Sequence, residues 1–166
     1  MRPWAYRSCF SSRFLILLVS SVQEFSRSML LPYLATDVFQ VVNDVEKYSE
    51  YLPGVKRSEI VSSDGTKHMV SMRLEAKGIS ETLVTSNAFD ESTNITISLV
   101  DGPFDHLRAH WTFHALEDLG CRVQLAVEFE LKGQLLRILL RPLYKTIVDQ
   151  LMRAFHNRVQ ELLETA

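Results

Sequence analysis

The chain has 166 residues, 46% of them hydrophobic, and a formal net charge of −2. That is enough for one domain with a sizeable core, and the near-neutral charge gives no sign of DNA binding. Its two cysteines, Cys9 and Cys121, form no CxxC pair, so they suggest neither a disulfide framework nor a zinc site and fit free thiols in a reducing compartment.

Residues 1–23 differ from the rest: they carry three arginines, five serines and no acid, and removing them leaves a mildly acidic remainder of charge −5. The apolar run Phe14–Val19 is far shorter than the ~20 residues that span a bilayer. Three readings stand: a secretory signal without a convincing cleavage site, an organelle transit peptide, or an upstream start codon. The last is favoured, because the domain pattern begins cleanly near Val22 to Phe25. The expected division is an extension over 1–23 and a domain over 24–166. The cytoplasm is the expected location, with peripheral contact at the inner face of the membrane, or the mitochondrion if the extension is a transit peptide.

Glu24–Leu31 reads as a first strand, ended by Pro32-Tyr33. Val38, Phe39, Val41, Val42, Val45, Tyr48 and Leu52 then recur at helical spacing, with Thr36 or Asp37 as N-cap and Asn43-Asp44 splitting the segment into two short helices. Strands follow over Val55–Ser62, Lys67–Ala76 and Ile79–Phe89, separated by Asp64-Gly65 and Lys77-Gly78. Asp101-Gly102-Pro103 is a turn between two alternating runs. Before it Ile95, Ile97 and Leu99 share a face; after it Leu107, Ala109, Trp111 and Phe113 do. Cys121–Leu131 is a last strand with Val123, Leu125, Val127 and Phe129 on one side. Beyond Lys132-Gly133 the period changes. Leu136, Leu139, Leu140, Leu143, Ile147, Leu151, Phe155, Val159 and Leu162 mark a long amphipathic helix that Pro142 either kinks or starts. The class is α+β: a curved antiparallel sheet of about seven strands wrapped around a long C-terminal helix, with two short helices after the first strand.

That order, with the stretches "PYLATDVFQVVNDVEKYSEYLPGV", "KGISETLVTSN", "LVDGPFDHLRAHWTF" and "AFHNRVQELL", resembles the coenzyme Q-binding and ribosome-association-toxin family, bacterial branch, of the START-like helix-grip superfamily. The resemblance runs from about Glu24 to Leu163. It implies a domain that binds ubiquinone, menaquinone or a similar polyprenyl lipid without covalent attachment, as a lipid chaperone supporting respiration and quinone synthesis. It equally implies a toxin-like factor that binds the large ribosomal subunit and blocks subunit association. Polyketide aromatases and cyclases of the superfamily supply a third reading, an enzyme.

The expected cavity lining is Phe39, Val42, Tyr48, Leu52, Trp111, Phe113, Phe129, Leu143, Ile147, Leu151 and Phe155, with Tyr48, Tyr144 and Trp111 as head-group donors. Tyr51 and Pro53 are the expected cavity mouth. Arg137, Arg141 and Lys145, spaced by four, form a basic face suited to anionic lipid head groups or ribosomal RNA, or simply to water. His106, His110 and His114 do not form a metal site, because on a strand neighbours in that series lie roughly 13 Å apart. No catalytic motif is present, and Glu128 and Glu130 fall on the polar face of the last strand. The expected protein is therefore not an enzyme and needs no obligatory cofactor.

Overall fold

Alternation of apolar and polar residues dominates the middle of the chain, and each alternating run becomes a strand. In the computed structural model, which describes residues 22–90 and 92–164, the strands are β1 (Gln23–Leu31), β2 (Val55–Ser63), β3 (Lys67–Ala76), β4 (Ile79–Asp90), β5 (Asn94–Asp101), β6 (Phe104–Ala115) and β7 (Cys121–Leu131). They form one antiparallel sheet in the order β1-β7-β6-β5-β4-β3-β2. The meander from β2 to β7 thus ends beside β1. Register shifts in β2, in the β4–β5 pair and near Phe104 mark bulges, which bend strands and increase their twist. The reading of residues 1–23 as an extension falls, apart from Val22 and Gln23, outside the described residues.

The link from β1 to β2 carries α1 (Ala35–Asn43), a 3₁₀ turn (Val45–Lys47) and α2 (Tyr48–Tyr51). The break falls at Asn43-Asp44, as the sequence indicates. The N-cap does not: Leu34 occupies it, with no side-chain cap bond, and Thr36 and Asp37 lie in the first turn. Asp37 there still meets the positive end of the helix dipole. The C-terminal segment divides into α3 (Gln134–Leu140), a 3₁₀ turn (Arg141–Leu143) holding Pro142, and α4 (Tyr144–Leu163). Pro142 precedes the main helix rather than kinking its middle. The buried stripe of α4 is Tyr144, Val148, Met152, Phe155 and Val159, whereas Ile147 and Leu162 are exposed.

The core sits between the sheet and these helices. Val38, Phe39, Val41 and Val42 of α1 are buried, and Phe39 meets Phe113 edge-on at 5.4 Å between ring centres. A second cluster gathers Phe129, Leu131 and Tyr144, with Leu136 and Leu140 packed against it. Gly120 makes one turn possible. Its φ is +100°, and a Cβ there would run into the Leu31 carbonyl oxygen, so β7 can start beside the end of β1 only with glycine.

Candidate functional site

The two apolar clusters share Val127, but their side chains do not fill the space between them. They leave a cavity of about 290 Å³ under the long helix. Trp111 and Phe155 wall it from one cluster, Phe129, Leu131 and Tyr144 from the other. The sheet contributes its inward row, including Leu83, Ile97, Leu107, Ala109, Leu125 and Val127. Edge-to-face contacts hold the aromatic walls: Trp111 to Phe155 at 5.0 Å and Phe129 to Tyr144 at 4.9 Å.

Few polar atoms belong to this wall, and none is charged. Tyr48 donates its hydroxyl to the Val42 carbonyl at 2.5 Å, so it ties α2 to the end of α1 instead of facing a ligand. Burial pushes the Tyr48 phenol well above its usual range. Thr85, fully buried, donates to Asn87 Oδ1 at 2.8 Å. Burial raises the Tyr144 phenol as well, against the opposing pull of Arg137 and Arg141. Trp111 and Tyr144 line the cavity through their rings, and the surface they present to it is almost wholly apolar. Among the described residues, no carboxylate, histidine, lysine or arginine lines the cavity.

Of the residues expected to line it, Tyr48, Leu52, Trp111, Phe129, Ile147, Leu151 and Phe155 do. Phe39, Val42 and Phe113 do not. They pack directly against one another and their neighbours beneath α1, where no space remains. Leu143 falls in the 3₁₀ turn, and its neighbour Tyr144, the first residue of α4, lines the wall instead. Leu107, Ala109, Leu125 and Val127 were legible as an apolar face, yet periodicity alone does not say which part of such a face stays uncovered.

The mouth also lies elsewhere. Ile147 lines the cavity while 43% exposed, so the cavity opens at the start of α4. Tyr51 and Pro53 instead border a separate open groove along α4, with Arg153 and Asn157. Tyr51 is wedged against Phe155 at 5.6 Å and lies under the Arg158 guanidinium at 5.3 Å. Arg158 also binds Glu50 and Glu161, which fastens α2 to α4. Leu52 faces the cavity because Gly54, at φ +82°, turns the chain tightly; its carbonyl accepts the Glu75 N–H at 2.7 Å.

The basic face is smaller than its spacing suggests. Arg137 turns inward, donating to the Leu131 carbonyl at 2.7 Å and pairing with Asp105 and Glu130 at 2.9 Å. The neutralising acids come from β6 and β7, so they are invisible along the helix sequence. Arg141 and Lys145 remain exposed. The histidines face outward to different partners, His110 to Thr96 and His106 to Glu128.

The model of the family described as polyketide cyclase / dehydrase and lipid transport matches residues 31–156. The chain belongs to that family. It is 33% identical over 141 residues to a protein of Vibrio cholerae named ribosome association toxin RatA, covering 85% of this chain and 98% of that one. It is 25% identical over 140 residues to the mitochondrial coenzyme Q-binding protein COQ10 of Drosophila melanogaster, covering 82% of this chain and 58% of that one. The fold matches the crystal structure of a STAR-related lipid transfer protein from Xanthomonas axonopodis, with a TM-score of 0.75 at 16% identity, over 87% of this chain and 89% of that one. The helix-grip architecture is thereby that of the START-like proteins. No described helix is long and apolar enough to cross a membrane.

Proposed function

We propose that this protein binds a polyprenyl lipid, an isoprenoid quinone such as ubiquinone or menaquinone, in the cavity beneath α4, and acts as a lipid chaperone supporting respiration and quinone synthesis. The observation that carries the reading is a walled cavity of about 290 Å³ whose lining, among the described residues, holds no charged side chain. Solvating such a wall is unfavourable, and an apolar ligand relieves that cost. The Trp111 N–H and Tyr144 O–H are suited to the carbonyl oxygens of a quinone ring. The volume is at the lower end for small-molecule sites, so it suits a head group or part of a chain, with the remainder leaving past Ile147. The likeness to the coenzyme Q-binding protein supports a quinone over other lipids. A cyclase would need an acid or base at the reacting chain, and no ionised group lines the cavity, which favours binding over catalysis.

Gentle purification, organic extraction and mass spectrometry test the reading. A stoichiometric quinone supports it; an empty extract, with added ubiquinone also failing to bind, overturns it. A second reading has its own support. The greater identity is to the ribosome association toxin, and Arg141 and Lys145 offer cations to an RNA surface. Co-sedimentation with the large ribosomal subunit, lost in Arg141→Glu/Lys145→Glu, is the result it predicts.

A further inference from the structure

The segment α3 is apolar on both sides. Leu136 and Leu140 face inward, packed against the Phe129–Leu131–Tyr144 cluster, and Leu140 lines the cavity. Leu135, Ile138 and Leu139 face the other way, at spacings of three and four that place them on one strip. They are 69%, 63% and 43% exposed. Pro142 extends the strip by one turn and is exposed too. A helix apolar all round is normally buried. Here only half of it is covered, and isolated exposed leucines elsewhere need no explanation whereas a contiguous group does.

Three further observations say what covers it. Lys132, Arg141 and Lys145, all exposed, flank the strip at both ends. Arg137 on the same helix is neutralised by Asp105 and Glu130, so the charge beside the strip comes from those flanking residues. Ile147, where the cavity opens, lies one turn or so beyond, next to Lys145. Apolar strip, flanking cations and lipid doorway therefore share one corner of the fold.

We infer that α3 is the surface by which the protein docks on an anionic lipid bilayer, with Leu135, Ile138 and Leu139 entering the boundary between head groups and chains. Lys132, Arg141 and Lys145 meet the phosphates, as in helices that lie in the interface plane. The inference rests on the lipid-binding reading of the cavity and adds where the lipid enters. Docking by α3 places the Ile147 opening against the bilayer, so a polyprenyl chain passes between membrane and cavity without crossing water.

The test is flotation of the full chain with vesicles of phosphatidylcholine containing phosphatidylglycerol, against vesicles of phosphatidylcholine alone. The protein floats with the anionic vesicles. Leu135→Ser/Ile138→Ser/Leu139→Ser lowers partitioning at least tenfold, and Arg141→Gln/Lys145→Gln lowers it about fivefold for each cation removed. Val61→Ser, at an exposed apolar residue on β2, changes nothing. The single variant Ile138→Ser, weakening flotation in the same direction, carries the test if the triple variant melts early. Failure of the parent to float, or equal flotation of the triple variant, overturns docking. So does a concentration-dependent dimer that the triple variant abolishes, since a second copy would then cover the strip. Extraction of the same samples keeps the readings apart: quinone present without flotation sinks docking alone, and flotation with an empty cavity sinks the lipid-binding reading alone.

Discussion

The sheet offers one continuous apolar face, and its two halves meet different fates. Toward the α1 side, Phe113, Val123 and Ile95 are buried against Phe39 and its neighbours. Toward the α3 side, Leu107, Ala109 and Val127 belong to the same strands and the same face, yet they look onto open space. Both halves alternate equally well. What differs is the cover: α1 buries four residues of its nine, whereas α4 buries five of its twenty, and Tyr144, Val148 and Phe155 among these line the cavity. A strand pattern thus decides which way a side chain points, and the covering element decides whether it ends in a core or a cavity.

Truncation should separate the two halves most strongly. Phe113→Ala removes a ring from the filled half and should cost about 3–5 kcal/mol. Leu107→Ala, at a wall already facing open space, should cost only about 1–2 kcal/mol. Chemical denaturation of both variants measures the gap; equal losses would mean that the cavity closes up in solution.

Enlargement should keep the order. Val123→Phe overpacks a fully buried position and should cost about 1–3 kcal/mol. Ala109→Phe pushes a ring into the cavity, so it should leave the melting temperature near that of the parent and abolish ubiquinone uptake. If uptake survives, the lipid does not occupy this space.

A hydroxyl sharpens the boundary between the halves. Tyr48 lines the cavity but gives its hydrogen bond to Val42. Tyr48→Phe should lower stability by about 1 kcal/mol and leave lipid uptake unchanged, whereas Tyr144→Phe should weaken uptake of a quinone.

Acid should act least, and on the cover rather than the sheet. Arg27 on β1 pairs with Asp149 on α4 at 2.8 Å and holds the Asp149 carboxyl below the usual carboxylate range. A group with a lowered native pKa contributes above its unfolded pKa and loses that contribution as pH falls through the native one. The α4 fastening should therefore loosen only below about pH 4. Arg27→Ala should flatten that acid limb in a stability–pH series.

The strands were readable to within a residue or two, because turns at Asp64-Gly65, Lys77-Gly78 and Asp101-Gly102 punctuate strict alternation. The cavity was readable only in part. Trp111 and Phe155 stood out by size, but Phe39 and Phe113 stood out equally and meet each other instead. Leu143 gave its place at the wall to Tyr144, because the 3₁₀ turn at Pro142 ends just before α4, whereas Ile147, Leu151 and Phe155 kept theirs. Arg137 looked like a surface cation, since the partners that claim it come from strands about thirty residues earlier and a few residues before it.

Arg137 has one more consequence. It supplies a fork of directed bonds to a carbonyl and two carboxylates, which a lysine could not reproduce, and so ties α3 to β6 and β7. Directed ionic bonds weaken as mobile ions accumulate, whereas the aromatic packing under α1 does not. Ionic strength therefore acts on the helical cover, at this fastening as at the Arg27–Asp149 and Arg158–Glu50 pairs, and leaves the aromatic packing beneath α1 in place.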